Sequence, residues 1–141
     1  MSPPRLVRTM ILATVAILST LLAGTAASAA ADRTPPSTPF IGYAQGFQCL
    51  TVILGVNRST DNVTPSAELT YEAVADGVLI GTMTDKPNST GAWGVLQLPH
   101  PGSNTVTVRA IDAAGNRSAV SNTRVVHGYF TPGCTPWKIG G

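Results

Sequence analysis

Short runs of alternating apolar and polar residues, separated by turn residues, fill the chain from about residue 40 to residue 128. Alternation of this kind puts successive side chains on opposite faces of the backbone, as in a half-buried β-strand. No run has apolar residues at the i, i+3, i+4 and i+7 spacing of an amphipathic helix with a starting cap. The pattern therefore predicts an all-β fold.

The turn residues divide this region into about seven short strands, which favours an antiparallel sandwich. Asp76-Gly77 predicts a tight hairpin, because both central positions of that turn need a positive φ. Asp112 is expected to accept backbone N–H bonds in a second reversal, where Gly115 and Asn116 tolerate a left-handed backbone. The predicted strands lie near 40–45 and at 47–56, 68–75, 78–84, 91–98, 105–111 and 121–128.

The N-terminal segment is typical of a secretory signal peptide. Arg5 and Arg8 precede an apolar stretch at 10–24, and small residues follow it. This order predicts cleavage near 29/30 or 31/32 and a secreted, extracellular product. An uncleaved membrane anchor is the alternative, because the uncharged stretch is long enough to span a bilayer. The domain organisation that follows is a signal peptide at 1–29, a Pro-rich leader at 30–38, a sandwich at 39–127 and a tail at 128–141.

Loss of Arg5 and Arg8 with the signal peptide leaves seven basic residues facing seven acidic ones. Nucleic acid and anionic membranes are bound by clustered Lys and Arg, so we expect neither as a partner of the mature chain. The remaining ~110 residues are enough for one domain with a single core. We expect that domain to be a monomer.

Cys49 and Cys134 are the two cysteines of the chain. An even count in an exported protein predicts one disulfide, and two free thiols are the alternative. Cys49 has the parity opposite to Leu50, Val52 and the other apolar positions of its predicted strand, so it should point outwards from the sheet. A disulfide there would draw the tail across the outer surface of the sheet, over Ile53.

Three segments resemble a known family: RSTDNV (58–63), YEAVADGVLIGT (71–82) and VTVRAIDAAGNRSAVSN (106–122). They are similar to the fibronectin type III and bacterial immunoglobulin-like domains of secreted bacterial proteins, especially those of actinobacterial hydrolases. The resemblance covers roughly 38–126 and implies an immunoglobulin-like sandwich. Val56 stands where a fibronectin type III domain usually has a core Trp, and Asn104 stands near its tyrosine-corner position. Either subfamily fits.

No catalytic constellation is visible in the sequence. His100 lies between two prolines and His127 ends the last predicted strand, and no motif pairs either with a nucleophile or an acid. We therefore predict a protein that is not an enzyme and has no cofactor. Asp61-Asn62, and Asp112 with Asn116, offer the loop oxygens that calcium prefers, but turn formation explains the same residues. No metal site is predicted.

Aromatic side chains are the best candidates for a binding surface. Trp137, Phe130 and Tyr129 lie in the tail, and Trp93 lies in a predicted strand. We expect Trp93 in the core with Tyr71, because a large ring in a strand normally buries its area. If the tail stands free, Phe130 and Trp137 would form a platform for a sugar or a protein. A tail held against the sheet is favoured, since exposed apolar patches are uncommon without a function.

The leading functional hypothesis is a secreted, non-catalytic binding or adhesion module for an extracellular carbohydrate or protein. It follows from the resemblance, and a fold alone does not fix a function. A secreted inhibitor of a protease or other hydrolase is an alternative, because the Pro-bounded loop LPHPGSN (98–104) could present a rigid segment. A third hypothesis is a spacer without a ligand. Exposed, coplanar rings would favour carbohydrate binding, and buried rings would favour an inhibitor or a spacer.

Overall fold

The structure is a computed structural model that describes residues 31–86 and 88–134. The predicted signal peptide and Trp137 lie outside the described residues. Within them no helix is long and apolar enough to cross a bilayer. The elements are β1 (Ile41–Gly46), β2 (Thr51–Asn57), a short 3₁₀ helix (Ser66–Glu68), β3 (Thr70–Ala75), β4 (Val78–Thr84), β5 (Gly91–Gln97), β6 (Gly102–Ile111) and β7 (Arg124–Gly128).

The strands form two antiparallel sheets that pack face to face. One sheet has the order β1-β2-β5 and the other has the order β4-β3-β6-β7. Every strand pair is antiparallel, and the β2–β5 and β3–β6 neighbours are brought together by connections that pass from one sheet to the other. Two layers of three and four strands in this order form an immunoglobulin-like sandwich. The all-β fold class expected from the sequence is confirmed.

The core lies between the two sheets and follows the predicted alternation. Val52, Leu54 and Val56 of β2 are buried, while Ile53 between them is partly exposed. Tyr71 of β3 is fully buried, and its hydroxyl oxygen accepts a hydrogen bond of 2.9 Å from the Ser59 N–H. Burying each large aliphatic side chain contributes about 1.5–3 kcal/mol, so this inner layer supplies the main stabilisation of the fold.

The β1–β2 connection differs from the prediction. Residues 47–50 form a turn rather than the start of a strand, and Cys49 and Leu50 have positive φ values of 59° and 58°. The prediction that Cys49 lies on a strand and points outwards from the sheet is therefore wrong. The apolar alternation continues into the turn because Leu50 packs against the core from there.

The two ends of the sandwich are tied differently. At one end, Cys49 in the β1–β2 turn forms a disulfide with Cys134, 85 residues away, which confirms the predicted bond. Next to it the Leu50 N–H donates to the Tyr129 carbonyl at 2.9 Å. At the opposite end, where β2 finishes, the leader is attached through a Ser37 N–H bond of 2.8 Å to the Thr60 carbonyl. We call these the disulfide end and the leader end.

Candidate functional site

Two exposed aromatic rings lie side by side on the outer face of the three-stranded sheet. Tyr43 of β1 is opposite Gly55 of β2, which is opposite Trp93 of β5. The ring centroids of Tyr43 and Trp93 are 5.6 Å apart, and the ring planes meet at 43°. The exposed fraction is 42% for Tyr43 and 44% for Trp93. These residues form the Tyr43–Trp93 pair.

Gly55 creates the space in which the Trp93 ring lies. A Cβ atom at this position would be 2.7 Å from Cη2 and Cζ3 of Trp93, which is well inside van der Waals contact. The indole therefore rests directly on the β2 backbone. Any larger residue at position 55 would force the ring away from the sheet.

The expectation that Trp93 belongs to the core is wrong. The inward positions of β5 are Ala92, Gly94 and Leu96, and a Cβ atom at Gly94 would already be 2.5 Å from Cγ of Met83. Next to position 93 the inner face of β5 has room only for the small residues Ala92 and Gly94, so a Trp does not fit on the inner parity there. The ring takes the outer parity, where glycine on the neighbouring strand leaves room.

The outer face around the pair is uncharged. The polar side chains of Gln45 and Asn57 flank the aromatic rings, and Val95 is 44% exposed beside them. The opposite sheet differs, because Arg117 binds Glu72 there through two hydrogen bonds of 2.7 and 3.2 Å. The outward positions of the three-stranded sheet are Tyr43, Gln45, Thr51, Ile53, Gly55, Asn57, Gly91, Trp93, Val95 and Gln97.

The tail aromatics lie elsewhere. Tyr129 and Phe130 are 49% and 59% exposed at the disulfide end, and the Tyr129 ring packs on His127 with centroids 4.7 Å apart. The described part of the tail, which ends at Cys134, leaves Trp93 and Val95 exposed on the outer face of the sheet, whereas Ile53, which the tail was expected to cover, is partly buried. The structure thus brings Trp93 together with Tyr43, whereas Tyr129 and Phe130 lie at the disulfide end and Trp137 lies outside the described residues.

The sequence of this domain is similar to parts of larger proteins. No family model matches the sequence. Chitinase Chi52 of Paenibacillus xylanexedens is 36% identical over 114 residues, which are 77% of this chain and 20% of that protein. Chitinase A1 of Niallia circulans is 35% identical over 102 residues, which are 72% of this chain and 13% of that protein. The chain therefore spans a fifth or less of the curated relatives it matches.

Among solved structures, the fibronectin(III)-like modules of CbhA from Clostridium thermocellum align with a TM-score of 0.41 and 15% identity, covering 70% of this chain and 94% of that chain. In the present structure, antiparallel sheets of three and four strands pack in the sandwich architecture that fibronectin type III domains share with immunoglobulin domains. The sandwich is fibronectin type III-like.

Two positions of this fibronectin type III-like domain depart from the family pattern that the sequence suggested. Val56 is only 3% exposed and fills the place expected for a core Trp. Asn104 is fully buried, and its side-chain N–H groups donate to the carbonyls of His100 and Gly102 at 3.0 and 2.9 Å. Asn104 thereby fixes the β5–β6 loop that holds the exposed residues Pro99 to Pro101.

His100 in that loop uses both of its ring nitrogens. Nδ1 lies 2.9 Å from the carbonyl oxygen of Pro101, and Nε2 lies 3.0 Å from Oδ2 of Asp76. The hydrogen bond with Pro101, with a further contribution from Asp76, raises the pKa of His100 above its ordinary value. Neither nitrogen is free to activate a nucleophile in this arrangement, so the loop geometry supports a structural role for the His–Asp pair.

The second reversal forms as expected around Asp112. Its Oδ1 accepts the Asn116 N–H at 2.8 Å, and Gly115 has the left-handed φ of 89°, whereas Asn116 does not need one. Burial alone would raise the pKa of Asp112, but hydrogen bonds from Asn116 and nearby backbone N–H groups lower it below its ordinary value. Asp61 lies close by at the leader end, together with Asp32, a leader residue that the local sequence pattern did not connect to either loop.

Proposed function

We propose that the protein is a secreted, non-catalytic module that binds polysaccharide through the Tyr43–Trp93 pair. The observation that carries this proposal is the exposure of two large rings in contact on an open sheet face. An aromatic ring normally buries most of its area, and an exposed apolar patch on a domain surface marks an interaction site. A glycine that leaves space for one of the rings supports the same interpretation.

The uncharged outer face indicates a neutral ligand. Sugar rings present apolar C–H faces that stack on aromatic rings, while their hydroxyl groups bond to polar side chains such as Gln45 and Asn57 at the edge of the pair. The matched relatives are both named chitinases, which supports chitin-type chains of β-linked N-acetylglucosamine as the first ligand to test. Nucleic acids and anionic surfaces would need basic residues on this face.

The two rings are exposed but not coplanar, which departs from the flat platform expected for carbohydrate binding and narrows the ligand class. Because the planes of Tyr43 and Trp93 meet at 43°, the two rings cannot both lie flat on one planar crystal surface. They can contact successive sugar units of a single chain that turns along its length. We therefore expect a preference for soluble chito-oligosaccharides and amorphous chitin over crystalline chitin.

A retention experiment tests the proposal. The mature chain is incubated with amorphous chitin, crystalline chitin, cellulose and peptidoglycan, and the bound fraction is measured. We expect Trp93→Ala and Tyr43→Ala each to weaken retention on the preferred polysaccharide by tenfold or more. Phe130→Ala is the matched control, because it removes an exposed ring at the disulfide end and should leave retention unchanged.

Two outcomes would overturn this proposal. One is a Trp93→Ala variant that keeps its β-sheet circular dichroism spectrum and binds as well as the wild type. The other is a folded wild-type protein that none of the polysaccharides retains, which would favour the ligand-free spacer.

Gly55→Ala provides a second test that removes no aromatic group. The added methyl carbon would lie 2.7 Å from two ring carbons of Trp93, and this overlap would tilt the indole away from Tyr43. We expect weaker polysaccharide retention with a red-shifted Trp93 emission, measured in a Trp137→Phe background where Trp93 is the one remaining tryptophan. An unchanged emission spectrum together with full retention would show that the ring position does not determine binding.

One observation supports the hypothesis that the protein is an inhibitor. Asn104 holds the β5–β6 loop from inside, so Pro99 to Pro101 form a rigid, exposed segment. A panel of secreted proteases and glycosidases tests it, with inhibition at micromolar concentration as the expected result. Absence of inhibition across the panel would reject this second candidate.

A further inference from the structure

We infer that the leader end of the domain contains a calcium site built from Asp32, Asp61 and Asp112. One carboxylate oxygen from each of the three lies within 4.8 Å of the others. The residues come from three separate segments: the leader, the β2–β3 connection and the β6–β7 connection. The fold brings them together, since no local sequence motif contains more than one of them.

Two of these carboxylates have a fully buried oxygen with no hydrogen-bond partner, Oδ2 of Asp32 and Oδ1 of Asp61. In each case the other oxygen is already engaged. Oδ1 of Asp32 accepts the Thr34 N–H at 3.0 Å, and Oδ2 of Asp61 accepts the N–H groups of Val63 and Thr64 at 3.0 and 2.8 Å. Buried polar atoms are almost always satisfied, so these two oxygens need a partner.

The cluster also lacks a positive charge. Asp112 is 6% exposed, and Asp32 and Asp61 are partly buried. Three carboxylates at this separation repel one another, and the repulsion grows as water is excluded. None of the three takes part in an ion pair within 31–86 and 88–134, where the pairs are Arg58–Asp85, His100–Asp76 and Arg117–Glu72. A bound divalent cation would supply both the missing charge and the missing partner.

The donor atoms favour calcium among the common cations. The cluster offers only hard oxygen ligands, without the His or Cys that zinc prefers. Calcium accepts about 6–8 oxygens in flexible geometry, so three carboxylates, mono- or bidentate, with water can complete its shell. Magnesium demands a tighter octahedron and gives up its water reluctantly, which suits three carboxylates on independent loops less well. Extracellular calcium modules have dissociation constants of about 10⁻⁴–10⁻³ M, and we expect this range.

The consequence would be a calcium-dependent attachment of the leader. Asn116 already connects the β6–β7 turn to the leader, because its side-chain N–H donates to the Asp32 carbonyl at 3.1 Å. A cation held by all three carboxylates would fix the same leader residue to the β2–β3 connection as well. The leader end would then be closed by a metal, as the disulfide end is closed by a sulfur bridge.

Thermal unfolding of the mature chain tests this inference. The protein is stripped with EDTA and titrated with CaCl₂, with MgCl₂ and NaCl at matched ionic strength as controls, and binding is measured in parallel by calorimetry. We expect a saturable rise of the unfolding midpoint with calcium, equivalent to a roughly tenfold shift of the folding equilibrium at ten times the dissociation constant. A smaller response to magnesium is expected.

Asp61→Asn is the discriminating variant. Its amide oxygen can still accept the Val63 and Thr64 N–H groups, but one negative charge is removed. We expect its unfolding midpoint in EDTA to equal or exceed that of the wild type, because repulsion falls, and its calcium response to be lost. Asp32→Asn should behave in the same way. Glu68→Gln, which removes an exposed acid outside the cluster, should keep the full response.

Three results would overturn the site. They are no calcium-dependent change in the wild type, an equal effect of NaCl at the same ionic strength, or an Asp61→Asn variant that binds calcium as the wild type does. Polysaccharide retention is not a readout here, so failure of this inference and failure of the proposed function are separately visible.

Discussion

A single buried carboxylate, Asp85, joins the β4–β5 connection to the residue that follows β2. Asp85 is 6% exposed, and its Oδ2 accepts a hydrogen bond from Nε of Arg58. Its Oδ1 accepts the Ser89 hydroxyl at 2.9 Å, while Nη2 of Arg58 donates to the Ser89 carbonyl at 2.7 Å. Burial alone would raise the pKa of Asp85, but the bonds from Arg58 and Ser89 lower it below the ordinary 3.8.

This pKa direction predicts a loss of stability in acid. A carboxyl group whose pKa is depressed by folding stabilises the fold above its unfolded-state pKa, and the contribution disappears as the pH falls through the folded-state value. Asp85→Asn should therefore lower the free energy of unfolding at pH 7 by about 1–3 kcal/mol, less than for a fully buried pair because Arg58 is partly exposed. The difference from the wild type should shrink as the pH falls below about 4.

Urea unfolding between pH 7 and pH 2.5 measures this difference, with Glu68→Gln as the control for an exposed acid. A deficit of Asp85→Asn that stays constant over the whole range would contradict the assigned pKa direction.

At the scale of elements, two different arrangements pair the edge of β6 that faces away from β3. β7 forms a regular ladder with its first half, and residues 117–121 run beside its second half without being a strand. There the Ser118 N–H donates to the Ala110 carbonyl, and the Ser118 hydroxyl oxygen accepts the Ala110 N–H, both at 2.9 Å. Ser121 makes the same two bonds with Val108 at 2.9 Å each. Side-chain oxygens therefore replace backbone carbonyls as acceptors.

Removing either hydroxyl should leave a buried N–H group without an acceptor. We predict that Ser118→Ala and Ser121→Ala each lower the free energy of unfolding by about 1–3 kcal/mol, the usual cost of an unsatisfied buried donor. Ser103→Ala, on the exposed side of β6, should change it by less than about 0.5 kcal/mol. Urea unfolding gives these values, and hydrogen exchange should become faster at Ala110 or Val108 specifically. Equal effects of all three substitutions would rule out the side-chain pairing.

The sequence predicted the strands because alternation is a local property. It also predicted the Asp76-Gly77 hairpin, because this residue pair favours a positive φ, and the structure shows φ values of 48° and 83° there. The sequence did not predict those side-chain positions that depend on contacts with a neighbouring strand. The outward position of Trp93 depends on Gly55 in the strand beside it, and no property of β5 alone reveals that glycine. Residues 121–123 look like a polar strand, although the Ser121 hydroxyl and the Asn122 side-chain amide make the bonds there. Asp32 and Asp112 are distant in the sequence and come close to each other only in the folded chain.

At the scale of the whole molecule, the disulfide closes most of the domain into one loop. Cys49 and Cys134 are separated by 85 residues, and all strands except β1 lie between them. In the chain-entropy account a cross-link of this length stabilises the fold by about 4–5 kcal/mol, by restricting the unfolded chain. Small domains have a net stability of only about 5–15 kcal/mol, so this one bond accounts for a large part of it.

We predict that the double variant Cys49→Ala/Cys134→Ala folds but loses about 3–5 kcal/mol in urea, with a larger m-value because its unfolded chain exposes more surface. Both cysteines are replaced together so that no free thiol remains, and the wild type treated with reductant gives an independent measurement. Loss of less than about 1 kcal/mol with an unchanged m-value would contradict the entropic account. It would mean that the bond holds only residues 129–134 against the β1–β2 turn, where the Leu50 to Tyr129 hydrogen bond already holds them, and that the sandwich is stable without it.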